Sequence, residues 1–217
     1  MLIANKSLKM QTLVFGTNNK KKGIELAELL SPYNIEVKTL ADFAEKLDVV
    51  EDGTTFLENA RKKAGEQAKF LNAWVVGEDS GLCVDALDGA PGIYSARFAA
   101  ESQTTNASDE DNNRKILELL KDVPLEKRTA HYTCAAALSD PSGIIRGEKE
   151  NYCRGRIRLV PSGNGGFGYD PLFEIIEYHQ TFGELHPAVK RAVSHRARTV
   201  RALINVIRET LTTTPLN

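Results

Sequence analysis

Two carboxylates stand side by side at Glu78 and Asp79, directly after the apolar run Trp74 to Val76, and a third, Glu51, precedes a helical pattern. A charged pair interrupting a core strand needs a reason, because carboxylates are seldom buried without a partner. A hard divalent cation would supply one. Magnesium takes oxygen ligands from one or two carboxylates, keeps several waters and completes its shell with substrate phosphates. A carboxylate beside such an ion can also orient or deprotonate an attacking water. Taken out of context, the same residues make surface acidity and turns; their place after three apolar residues shifts the balance toward chemistry.

Three further segments could serve the same site. TNNKKK, Thr17 to Lys22, lies between a strand and a helix start, where backbone N–H groups and the helix dipole favour a phosphate. It lacks the GxxxxGK[ST] pattern, so by itself it reads equally as a solvated basic loop. GNGGFGYD, Gly163 to Asp170, surrounds Phe167 with glycines that permit close backbone approach, and its ring offers a stacking face for a planar base. A hairpin loop with one buried aromatic would look the same. SHR presents His195 and Arg196 at a helix start capped by Ser194, with Lys190 upstream, although a lone histidine there is more often a surface residue.

The elements that must position these groups follow from periodicity. A strand is expected over Thr12–Gly16, then a helix stopped by Pro32, and a strand with period-two alternation over Ile35–Leu40. Thr55 and Glu58 have capping-box spacing, so a helix should run from Phe56 to about Leu71 with Ala60, Ala64 and Ala68 on one face. A strand over Trp74–Val76 is followed by a polar interruption, Gly77 to Gly81. Ser108 caps a third helix carrying Ile116, Leu119 and Leu120. From Thr129 the texture becomes antiparallel strands joined by turns, placed in a second lobe's sheet. A last helix from Ser194 carries Val200, Leu203, Ile204, Ile207 and Leu211. The mixture points to an α/β or mixed α+β fold.

Composition excludes several classes. With 217 residues, one two-lobed domain is expected, spanning 12–211 between a flexible lead-in (1–11) and a tail (212–217). No run is apolar enough for a membrane span, and MLIANKSLKMQ lacks the apolar stretch of a secretory signal. A net charge of −1 lacks the overall basic footprint of a nucleic-acid binder. Cys83, Cys134 and Cys153 are odd in number and without CxxC spacing, which fits core residues in a reducing cytoplasm.

In order and spacing, TNNKKK, VEDGTTFLENA, GEDSGLCVDALDGAPGIYSARF, GNGGFGYDPLF and SHR closely resemble the inosine/xanthosine triphosphate pyrophosphatase family (Ham1-like), over about Leu13 to Leu203. The resemblance implies two lobes around a long mixed sheet, a substrate cleft between them, a homodimer, and magnesium-dependent cleavage of deaminated purine nucleoside triphosphates to monophosphate and pyrophosphate. Carried onto this chain, Thr17, Asn19 and Lys22 would hold the triphosphate, with Lys63 and Ser80 near the phosphates. Glu51 and Asp79 would serve the metal, joined by Glu78, and Asp79 would be the base for water. Phe167, Gly168, Tyr169 and Asp170 would meet the nucleobase on one side, and Lys190, His195 and Arg196 on the other. Glu78 stands where many members have a second aspartate. Asn18 stands where glycine is often seen, and HPAVK lacks acidic residues common before Lys190. A non-catalytic nucleotide sensor would keep TNNKKK and GNGGFGYD without needing Asp79, and an RNA-binding module would want clustered aromatics that are missing.

Overall fold

The computed structural model describes residues 11–33, 35–102 and 105–213. Most of the expected lead-in and tail, 1–10 and 214–217, lies outside them; Gln11 already opens the first strand and Thr213 closes the last helix. The chain runs β1 (Gln11–Phe15), α1 (Lys20–Leu30), β2 (Ile35–Thr39), α2 (Phe56–Leu71), β3 (Val75–Val84), α3 (Asp109–Leu119), β4 (Thr129–Ser139) and β5 (Ile145–Ile157). It ends with β6 (Phe173–Ile175), β7 (Gln180–Thr181), α4 (Pro187–Val193) and α5 (His195–Thr213). One seven-stranded sheet has the order β2-β1-β3-β4-β5-β6-β7. It is parallel where β1 lies between β2 and β3, and antiparallel from β3 onward.

Helix α2 starts where expected because Thr55 Oγ1 accepts from the Glu58 N–H at 3.1 Å. The box is only half closed: Glu58 turns its carboxylate to the Thr54 N–H and hydroxyl instead. The helix stops at Asn72, which adopts the left-handed conformation. Its row Ala60, Ala64 and Ala68 is fully buried, and the first two pack with Ala135 and Ala137 of β4. The opposite sheet face is covered by α1 and α5, whose Leu26, Leu30, Val200, Leu203, Ile204 and Ile207 pack with Leu13, Phe15, Ala136 and Leu138. A further core around Ile116, Tyr132, Ile157 and Phe173 fills the far end.

Three expectations change. Gly77 to Gly81 do not break the strand: β3 runs on for ten residues, because β4 pairs with it from Val75↔Ser139 to Val84↔Ala130 and supplies backbone partners throughout. The antiparallel strands form no separate second sheet but continue the first. The segments GIIRGE and YCRGRIRLV contribute to one thirteen-residue strand, β5. Helix α4 and strand β7 escaped the sequence reading.

What opens the cleft is a mismatch in strand length. Strand β1 pairs with β3 only at Val14↔Val75 and Phe15↔Val76, and after Gly16 the chain turns away toward α1. Beyond Val76, β3 therefore has a strand neighbour on one side only. This is the carboxyl end of β1, where the strand order reverses, the place at which open α/β sheets take ligands.

Gly77 sets how closely α2 approaches there. A Cβ on it would overlap the Ala60 carbonyl oxygen and the Ala64 nitrogen, backbone atoms that cannot swing aside. Gly77→Ala should therefore destabilise the protein by about 3 kcal/mol, the upper range of overpacking, measured by urea unfolding.

Candidate active site

Successive side chains of a strand point to opposite faces, so Glu78 and Asp79 look in opposite directions from β3. On the Glu78 side stand α1 and α5. Lys22 Nζ lies 2.9 Å from Glu78 Oε2 as an ion pair, and Arg196 Nη2 and Nε reach Oε1 at 3.1 and 3.3 Å. Arg196 Nη1 also holds Glu25 at 2.6 Å, and both Lys22 and Arg196 donate to Ser80 Oγ. Burial opposes ionisation of Glu78, but the charges of Arg196 and Lys22 outweigh it and hold the carboxyl well below its ordinary range.

On the Asp79 side stands α2. Lys63 Nζ bridges Asp79 Oδ1 at 3.0 Å and Glu51 Oε2 at 2.9 Å, while Asn59 Nδ2 donates to Asp79 Oδ2 at 3.2 Å. Here burial wins: it raises the Asp79 pKa, against Lys63, with the Glu51 charge adding to the rise. For Lys63, the two carboxylates overcome burial and raise its pKa.

At the mouth of β1, Asn19 caps α1, its Oδ1 accepting from the N–H groups of Lys21 and Lys22 at 3.0 and 3.3 Å, and Thr17 Oγ1 accepts from the Asn19 N–H. The helix end is thus less open than the sequence reading supposed. Two of its first N–H groups are already satisfied, leaving the dipole and the Lys22 ammonium to attract an anion.

The glycine-rich loop closes the other side. Lys21 Nζ crosses to the Gly166 carbonyl at 2.9 Å. Gly166 has φ +78, and a Cβ there would strike the Asp170 carboxylate. That carboxylate accepts from Phe167 N–H at 2.8 Å and Lys190 Nζ at 2.6 Å. Burial raises the Asp170 pKa against the opposing charge of Lys190. The Phe167 ring faces Lys190 and Arg196, at 5.4 and 5.7 Å from its centroid. Gly168 has both backbone groups taken by α3, through Asp109 and Asn113, and the Tyr169 hydroxyl donates to the Ser95 carbonyl. These contacts hold the loop in place at the edge of the cleft. His195 is buried, stacked on Tyr132 with ring centroids 4.6 Å apart and near Phe182.

One cleft of about 420 Å³ gathers all the residues that the resemblance assigns to substrate or metal, from Glu51 and Lys63 at one end to Phe167 and His195 at the other. Its volume suits a nucleotide-sized molecule. No group of three or more acidic, histidine or cysteine side chains is placed to cage a metal among the described residues. Glu51 and Asp79 nonetheless reach one cationic centre, now the Lys63 ammonium, which fits a hard cation that relies on two carboxylates, water and phosphate. Glu78 has its two oxygens turned to Lys22 and Arg196, on the face of β3 opposite Asp79.

The Ham1 family model matches residues 13–206. The chain belongs to the Ham1 family. A dITP/XTP pyrophosphatase of Rhodopirellula baltica is 54% identical over 196 residues, 90% of this chain and 92% of the relative. The enzyme of that name from Desulforamulus reducens is 46% identical, over 90% of this chain and 94% of its own. Among solved structures, a HAM1 protein from Coxiella burnetii superposes with a TM-score of 0.81 at 34% identity, covering 92% of this chain and all of its own. A nucleoside-triphosphatase/dITP/XTP pyrophosphatase from Mycobacterium abscessus gives 0.70 at 37%, covering 91% of this chain and all of its own.

In this Ham1 chain, sequence reading passed over Asn59, Gln67 and Glu25. The first two carried a signal: Asn59, Lys63 and Gln67 are spaced four apart, a polar row beside the alanine row of α2.

His195 gives a test of the site's electrostatics. Burial, aided by the Arg196 charge, puts its pKa well below 6.5, so the folded state binds fewer protons than the unfolded one. Stability is then full above the unfolded value and falls as pH drops from about 6.5 toward the folded value. His195→Phe, which keeps the ring stack, should show a smaller drop in thermal midpoint than the wild type between about pH 7 and 5.

Proposed function

We propose that this Ham1 chain hydrolyses deaminated purine nucleoside triphosphates, ITP, dITP and XTP, to the monophosphate and pyrophosphate, and so clears them from the pool used for DNA and RNA synthesis. The carrying observation is the cleft itself: a carboxylate pair sharing Lys63 at one end and an aromatic face at the other, joined by the cationic end of α1. The names of the relatives support the same substrate class.

Glu51 and Asp79 would hold magnesium, which when bound neutralises charge on the phosphate oxygens. Lys22 and Lys63 add positive charge along the polyphosphate, Ser80 and Thr17 offer hydroxyls, and Asn19 fixes the helix end beneath it. Asp79, at the end of the cleft beside Lys63, takes a proton from the water that attacks the α-phosphorus. The bond to the bridging oxygen breaks and pyrophosphate leaves with the electron pair. Glu78 serves as counter-ion to Lys22 and Arg196, tying the phosphate and base ends of the cleft together.

Base selection would rest on donors facing the purine C6 oxygen. Adenine carries its own donor there, and donor facing donor is costly in a buried site. Lys190, His195 and Arg196 are those donors; the contacts of Arg196 to Glu78, Glu25 and Ser80 leave it one Nη1 hydrogen to give. Phe167 supplies the stacking face. From the resemblance we also propose a homodimer, and from the unpaired cysteines a cytoplasmic setting, with neither nucleic acid nor membrane as partner. No helix among the described residues is long and apolar enough to cross a membrane.

The test is product analysis over a panel of nucleoside triphosphates, with and without magnesium. Pyrophosphate plus IMP from ITP is expected, and turnover should vanish on chelation; IDP plus orthophosphate would refute attack at the α-phosphorus, and binding without hydrolysis would favour a sensor. Asp79→Asn should lower ITP turnover by roughly two orders of magnitude or more while leaving the thermal midpoint nearly unchanged. Turnover near the wild-type rate would remove Asp79 from the chemistry.

A further inference from the structure

Asn59 is fully buried in the first turns of α2, and both ends of its carboxamide are used. Nδ2 donates to Asp79 Oδ2 at 3.2 Å, and Oδ1 accepts from the Gly53 N–H at 2.8 Å. Gly53 lies two residues beyond Glu51, and the fit is close: a Cβ at Gly53 would stand 2.6 Å from Asn59 Oδ1. The same helix grips the other end of this loop, since Gln67, also buried, hydrogen-bonds the Leu47 backbone through both its nitrogen and its oxygen. Lys63, one turn beyond Asn59, completes the ring by joining Glu51 to the other oxygen of Asp79.

We propose that Asn59 is a positioning residue for hydrolysis: its carboxamide ties the Glu51 loop to Asp79 and so fixes the separation and orientation of the two carboxylates. A neutral amide suits the task. Asp79 has one oxygen on a cation and needs a donor on the other, while the loop N–H needs an acceptor; of the side chains that fit, only a carboxamide offers both without altering charge. Loss of the bridge leaves Asp79 free to rotate and the loop free to shift, misplacing groups whose effect depends on sub-ångström geometry.

This inference rests on the proposed role of Asp79, and a double-mutant cycle separates the two. Asn59→Leu, of similar size, should lower kcat for ITP roughly ten- to hundred-fold while KM stays within about three-fold. In an Asp79→Asn background the same change should cost less than about two-fold, because residues acting through one group are not additive. Without nucleotide, Mn2+ binding followed by electron paramagnetic resonance should weaken about ten-fold in the single variant. Asn59→Ser is carried in parallel, and either folded variant decides. An unchanged kcat, a loss confined to KM, an additive cycle or unaltered Mn2+ affinity would overturn the proposal. So would failure of both variants to fold, which would place Asn59 in the fold alone. If Asp79→Asn itself turned over ITP normally, the role of Asp79 and this inference would fall together; an additive cycle beside a slow Asp79→Asn overturns only the role of Asn59.

Discussion

Adjacent residues of a strand face opposite ways, so burying Glu78 and Asp79 together obliges the fold to bring positive charge to both faces of β3. Removing a carboxylate from water costs several kcal/mol unless a cation and hydrogen bonds meet it. The surrounding helices answer that demand: α1 and α5 present Lys22 and Arg196 on one face, and α2 presents Lys63 and Asn59 on the other. The early end of β1 opens the space into which these side chains point.

The two carboxylates are pushed in opposite directions. Glu78 meets two cations and is held ionised, a fixed charge that organises its neighbours. Asp79 shares its lysine with Glu51, so burial prevails and its affinity for a proton rises. One residue is thereby suited to structure and the other to proton transfer, a division made by environment between nearly identical groups.

Much of this was legible in sequence because the signals were local. The Thr55 cap, the alanine row of α2 and the aliphatic stripe of α5 are patterns within one element, and the structure places them as their spacing implies. Glu78 and Asp79 stood out because charge inside an apolar run is costly. What escaped depended on distant partners. The polar stretch after Val76 looked like a break because the cations that satisfy it come from residues 22, 63 and 196. Asn59 went unnoticed as one polar residue in a helix full of them, its meaning set by Gly53 and Asp79 together.

The Asp79 end of the cleft hangs on β3, α2 and the loop that α2 grips, while the Phe167 end hangs on α5, α4 and the glycine-rich loop held by α3. Glu78 with its two cations and the reach of Lys21 to Gly166 span them, and so does Tyr169, whose hydroxyl donates to the carbonyl of Ser95 while the Ser95 hydroxyl accepts from the Leu82 N–H of β3. Such a layout gives the two ends of the cleft different supports. The tightest joint lies at the Asp79 end, where a side chain at residue 77 would force the α2 backbone at Ala60 and Ala64 away from the sheet and carry Asn59 and Lys63 with it.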